Sequence, residues 1–365
     1  MKVKEQISSA QMSVLFFAYM TGSSIVNIPA PLIGYAKNGA WISLLLSLSV
    51  GTLLLFCVLY LFRKFPDLTF IEYSNALVGK WVTLLLAVPF LSFQFHMTSG
   101  IVLDIGLFLN SSMMRQTPLS IFVFCVFVAA ALTVRSGIET LARMILVPLI
   151  GVLCFVILIM LLSGNTYRYD HLLPIMPDGI KPVILGAYFS YGFPYVELVL
   201  MAMLFPYVRR EGRPHLARGM FLALYMNAFF LIAVTLCTIL VFGPLAGERK
   251  YSMFEVARII DLLEVIQRIE SLMGISLILT SFFKAAITLF ILNLTFTRLF
   301  ALKDDRILVF PLTLICFIFS LKQIDKGAAH WMYSVAVIHP LWATWAYLLP
   351  LAIVAAAAVL KRNRS

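Results

Sequence analysis

The sequence predicts an all-α membrane protein of ten transmembrane helices, and three observations carry that prediction. Hydrophobic residues make up 62% of the 365-residue chain. Charged residues make up 12%, against roughly 25% in an ordinary soluble domain. Apolar runs of about 20 residues, the length that crosses a bilayer core as helix, recur from Met12 to Leu360 with only short polar gaps. No long soluble domain fits between them, so residues 1–365 read as a single integral membrane domain.

Caps, prolines and charge clusters place the spans near 9–36, 40–62, 81–110, 117–134, 140–163, 181–208, 214–243, 267–300, 305–321 and 335–360. The first run holds Gly22, Asn27, Pro29 and Pro31, lacks an A-x-A cleavage site and leads directly into further spans. It reads as a retained helix rather than a removable signal peptide. With the N-terminus placed in the cytoplasm, 17 basic residues fall on the inner segments, ten on the outer ones and Lys284 within the membrane, which accounts for all 28. That inner excess orients the chain with both termini cytoplasmic.

Two outer segments exceed a turn. Residues 164–180 read as an ordered loop. Residues 252–266 place Ile259, Leu262, Leu263 and Ile266 at helical spacing with Asp261 and Glu264 turned away, the pattern of a helix lying on the membrane surface; a plain extension of the eighth span is the other reading. The five cysteines, Cys57, Cys125, Cys154, Cys237 and Cys316, sit inside apolar runs without metal-ligand spacing and read as small packing residues. The net charge of +11 is spread over short loops with no basic stripe, which excludes a nucleic-acid surface and fits membrane topology.

The informative spans are the imperfect ones. Thr21-Gly22-Ser23-Ser24-Ile25-Val26-Asn27-Ile28-Pro29 interrupts the first, and Ser190-Tyr191-Gly192-Phe193-Pro194-Tyr195-Val196-Glu197 interrupts the sixth. Each joins a glycine to a proline, which lacks a donor and clashes with the preceding turn. Unwound backbone at membrane depth persists only where protein buries it or it lines a wet cavity. Spans one and six are equivalent positions of two halves, about 9–163 and 181–360. The prediction sharpens to a transporter-like 5+5 inverted repeat with broken helices one and six. Helix ends exposed there can receive a carboxylate and an ammonium group, which makes Gly22, Ser23, Ser24, Asn27, Tyr191, Gly192 and Glu197 candidate ligand-binding residues. Two ordinary kinks are the plainer alternative.

The break ending Asn27-Ile28-Pro29, the run Gly192-Phe193-Pro194-Tyr195-Val196-Glu197, Met203-Leu204-Phe205-Pro206, and Arg268-Ile269-Glu270-Ser271 together resemble the spore-germination permease family. Its members are B subunits of nutrient germinant receptors, within the amino acid, polyamine and organocation transporter superfamily. Val196 departs from the glycine expected before the glutamate. The resemblance implies a small germinant, an amino acid first, as ligand, A- and lipoprotein C-type subunits as partners, and the spore inner membrane as location. It also implies a pocket walled by spans three, six and eight, with Met97, Thr98, Phe193, Tyr195, Ser281 and Phe283 as lining residues.

Lys284 lies mid-span, where an unpaired charge costs about 2.5–3.5 kcal/mol on insertion scales. Glu197 is the first candidate partner and Asp104 the second. Glu270, Ser281, Lys284 and Thr288 share one side of span eight and should face inward. In sodium-coupled proteins of this architecture spans one and eight hold an ion, so Lys284 could stand in its place; a purely structural lysine is the alternative. On span three, Gly100 stands one turn from Asp104 and allows close approach. His96 reads as a satisfied histidine or a proton relay. No H-E-x-x-H, G-x-S-x-G or phosphate loop occurs, so no catalytic residue, metal or cofactor is expected. Two functions stay open: a ligand-sensing germinant-receptor subunit, and an amino-acid transporter or permease working by alternating access.

Overall fold

The computed structural model describes residues 5–260 and 269–362. Eight helical stretches among the described residues are long and apolar enough to cross a membrane, and the helix Val309–Gln323 is apolar but shorter. Large side chains such as Leu53, Phe56, Leu85, Val147 and Leu161 point outward from the bundle, as expected where lipid rather than water is the outer solvent.

Helix α1 (Ser9–Thr21) opens on a capping box between Ser8 and Gln11. It ends at Gly22, whose φ of −20° and ψ of −104° leave the helical region. The chain resumes as α2 (Ser24–Asn27) and α3 (Pro29–Ala36), the latter started by a proline that needs no helical donor at its first position. Then follow α4 (Ala40–Lys64), α5 (Phe70–Val78), α6 (Lys80–Phe108), α7 (Leu119–Ser136), α8 (Ile138–Met144) and α9 (Leu146–Leu162). Arg63 and Lys64 close α4, where cations complement the helix dipole. Helix α5, capped by Thr69 and Glu72, is a short element that the hydropathy pattern did not reveal.

Helix α10 (Ile180–Ser190) passes into a π turn over Tyr191–Tyr195 and a 3₁₀ segment over Val196–Met203. Within the turn Phe193 is extended, with φ −148° and ψ 111°. The rest comprises α11 (Arg213–Phe242), α12 (Ser252–Arg258), α13 (Glu270–Leu299), α14 (Val309–Gln323), α15 (Ala328–Tyr333), α16 (His339–Ala343) and α17 (Leu349–Arg362). The last three are stitched together by π turns at Ser334–Ile338 and Thr344–Leu348. Helix α1 packs on α11 and α13, α10 on α4, and α6 on α13 and α14. The interrupted segments therefore lie at the centre of the bundle, and both are buried.

Helix α12 buries Met253, Phe254, Val256 and Ala257 against protein, with Phe254 edge-on to Phe108 at 5.3 Å, while Ile259 is exposed. The buried side of α12 packs on the bundle, while the predicted surface face at Leu262, Leu263 and Ile266, with Asp261 and Glu264, lies outside the described residues. Cys125 and Cys154 face outward and do not pack in the interior, unlike Cys237 and Cys316.

Candidate functional site

The two interruptions meet through side chains of α13. A Cβ on Gly22 would sit 2.8 Å from Lys284 Cβ and 2.9 Å from its Cδ, so the lysine stem lies directly against the break in the first helix. Only glycine leaves that room. The stem carries Nζ to Glu197 Oε2 at 2.6 Å, with both side chains fully buried. Of the two carboxylates left open by the sequence, Glu197 is the partner. Lys284 Nζ also lies 4.3 Å from the Phe193 ring centre and 5.2 Å from that of Tyr19, close enough for cation–π attraction. Tyr19 in turn donates its hydroxyl to the Glu197 carbonyl at 3.4 Å.

The other Glu197 oxygen, Oε1, lies 3.2 Å from His339 Nε2. This histidine comes from α16, and the following Pro340 is pressed onto the sixth span: a Cβ on Gly192 would meet Pro340 Cα at 2.5 Å. Side chains from two other spans thus converge on the Glu197 carboxylate. Beside this knot lies a cavity of about 40 Å³, lined by Ser23, Asn27, His96, Met97, Gly100, Ile101, Asp104, Phe193, Glu197, Trp331, Val335 and His339. A water needs about 10–15 Å³ on the same measure. The space admits a few waters or a small polar fragment.

Several expected residues are placed elsewhere. Ser24 is buried and donates its hydroxyl to Met20 O and Thr21 O at 2.6 and 3.0 Å, closing the end of α1. Tyr191 stacks on Tyr188 at 5.9 Å, and Tyr195 packs against Gly51. Thr98 and Ser281 are buried with hydroxyls that find no partner among the described residues, and Phe283 packs on Phe282. None of these six lines the cavity, nor do Gly22, Gly192 and Lys284. Ser281, Lys284 and Thr288 are buried as the inward stripe required, while Glu270 at its start is only half-buried.

The sequence reading missed the contribution of the last span. Trp331, Val335 and His339 recur every four residues, the spacing of one helix face, and that periodicity was available as a signal. Trp331 Nε1 donates to Asp104 Oδ1 at 2.8 Å, and its ring lies over Gly100, where a Cβ would meet it at 2.5 Å. His96 stacks on Trp342 at 4.8 Å, and its Nδ1 lies 3.0 Å from Gln323 Nε2. No group of three or more metal-ligating side chains occurs among the described residues.

The description of spore germination proteins matches residues 6–326. The chain belongs to that family. It is 23% identical to spore germination protein KB of Bacillus subtilis (strain 168) over 331 residues, which cover 90% of this chain and 87% of that one. The fold resembles inverted-repeat transporters at 11–14% identity. A Na+-coupled sialic acid symporter superposes with a TM-score of 0.69 over 95% of this chain and 79% of its own. MhsT in complex with L-phenylalanine superposes with a TM-score of 0.68 over 98% and 100%. The family member described here is therefore an integral membrane protein built like a transporter.

Proposed function

We propose that this spore germination protein is a permease that binds a small solute, an amino acid first among the candidates, midway through the bundle and moves it by alternating access. The observation that carries this reading is the convergence of both interrupted helices on Lys284 and Glu197, beside a cavity. In this reading the chain has ten spans in a 5+5 repeat. The short helices α5 and α12 support it, since they occupy equivalent places, after the second and the seventh span. Ser23, Asn27, Met97, Gly100, Phe193 and Glu197 are the ligand-binding residues, Gly22 serves by admitting the Lys284 stem at the break, and the chain performs no catalysis. Lys284, wedged against Gly22, takes the place a coupling cation would otherwise fill. Each conformation must bind the solute with unequal affinity for the equilibrium to shift.

Membership of the germination family favours a second reading, in which the same site senses a germinant and signals through A- and C-type subunits in the spore inner membrane, with both termini on the core side. Reconstitution separates the two. Purified chain in liposomes is expected to accumulate or exchange labelled amino acid, and Gly22→Leu or Glu197→Gln is expected to abolish this. Saturable binding without uptake or exchange would favour the sensor. Binding untouched by both substitutions would place the site elsewhere.

A further inference from the structure

Charge bookkeeping around the cavity leaves one group over. Lys284 and Glu197 neutralise each other at 2.6 Å. His96 Nδ1 faces the Gln323 amide nitrogen, which also lies 3.1 Å from the His96 carbonyl; an amide N–H can only donate, so Nδ1 accepts and the imidazole is neutral. His339 needs only one N–H, on Nε2, to serve Glu197. Asp104 accepts a single hydrogen bond, from the Trp331 indole, and no cationic side chain among the described residues lies within ion-pair distance of it. Lys250, between α11 and α12, and Lys284 act on Asp104 only at longer range, without forming an ion pair with it. The carboxylate therefore faces the cavity without a counterion.

A second observation is independent of that charge. With Nδ1 accepting, the neutral His96 ring carries its proton on Nε2, and this buried nitrogen has no partner among the described residues. His96 also lines the cavity. One end of the space thus offers a carboxylate flanked by an indole, and the other an unused N–H donor. The two residues are eight positions apart on α6, about 12 Å of helix rise, and both side chains line the same cavity.

Resting on the permease reading above, we propose that Asp104 is the recognition residue for a cationic amine, so that the ligand class is a primary ammonium compound, amino acids included, rather than a sugar or polyol. The ammonium sits against Asp104 and the Trp331 ring, and an acceptor at the far end of the ligand takes the His96 Nε2–H. Selectivity for the amine then comes from the third and last spans, while the interrupted first and sixth helices supply the hinge and the rest of the wall.

The test is equilibrium binding to the purified full chain in detergent. The probes are L-alanine, L-phenylalanine and phenethylamine, the N-acetyl derivatives of all three, D-glucose and myo-inositol. At least one amine is expected to bind, with N-acetylation weakening it tenfold or more. Asp104→Asn is expected to weaken the same amine about ten- to a hundredfold, the range of a lost hydrogen bond to a charged group, while Asp104→Glu stays within a few-fold. Equal binding of amine and N-acetyl forms by the unaltered chain overturns the proposal without recourse to any variant, as does an Asp104→Asn protein with unchanged affinity. Glucose or inositol binding that Gly22→Leu abolishes would overturn the amine assignment and keep the midplane site. Failure of every probe to bind would overturn both.

Discussion

Replacing Lys284 by Met isolates the worth of the central ion pair, because Met retains the hydrocarbon stem that packs against Gly22 and removes only the charge. Both members of the pair are fully buried. Their 2.6 Å contact lies out of reach of bulk water, and the lone carboxylate left behind would keep one side-chain partner, His339. Breaking a buried pair from one side costs about 3–5 kcal/mol. Lys284→Met or Glu197→Gln alone should each fall in that range. The double variant removes both charges, and such replacements often come out near neutral, so its cost should be well below the sum of the single costs. The coupling is then at least about 3 kcal/mol, more than a hundredfold in the unfolding equilibrium.

Equilibrium unfolding of the purified chain in mixed micelles, titrated with sodium dodecyl sulfate, measures all four corners of the cycle. Additive costs, agreeing within about 0.5 kcal/mol as for independent sites, would refute the reasoning. So would a Lys284→Met protein as stable as the parent. Either result would mean that Glu197 finds its stabilisation from His339 and the backbone, with the lysine a bystander.

Two further outcomes follow from close packing at opposite places. Gly192→Ala should cost about 1–3 kcal/mol in the same assay, as overpacking does, because its Cβ meets Pro340 Cα at 2.5 Å and a ring-locked backbone cannot swing away; Gly164→Ala, with nothing within 4 Å, should be neutral. Near the N-terminus, Glu5 Oε2 accepts the Ile138 N–H at 2.8 Å while its Oε1 lies 3.1 Å from Arg306, and Ile7 pairs with the Tyr207 carbonyl at 2.9 Å. The exposed ion pair contributes little, but the charged hydrogen bond to backbone is worth about 1.5–3 kcal/mol, so Glu5→Ala should speed hydrogen exchange at residues 5–8 about tenfold or more, and an unchanged rate would show that the Ile7 bridge alone anchors the segment.

What the sequence made legible divides along a physical line. Gly22 and the Gly192–Pro194 run stood out because glycine and proline break a helix wherever they sit, and the cost of unpaired backbone in lipid makes a mid-span break informative. The Lys284–Glu197 pair was legible for the same kind of reason: a buried ammonium needs a counterion, and only two carboxylates lay at matching depth. Which way an ordinary side chain faces was not legible. A span apolar on every side carries no amphipathic stripe, so Thr98, Tyr195, Ser281 and Phe283 could be assigned to a wall only by analogy, and they pack away from the cavity. The last span was harder still, since its two π turns each insert a residue and shift the helical phase, and the Trp331, Val335 and His339 spacing runs through the first of them. Polarity in such a chain marks the depth at which something is recognised, whereas tertiary packing decides what the recognising group meets. Asp104 illustrates the difference: its charge was evident from the sequence, but its availability became apparent only when Lys284 was found to be fully engaged by Glu197.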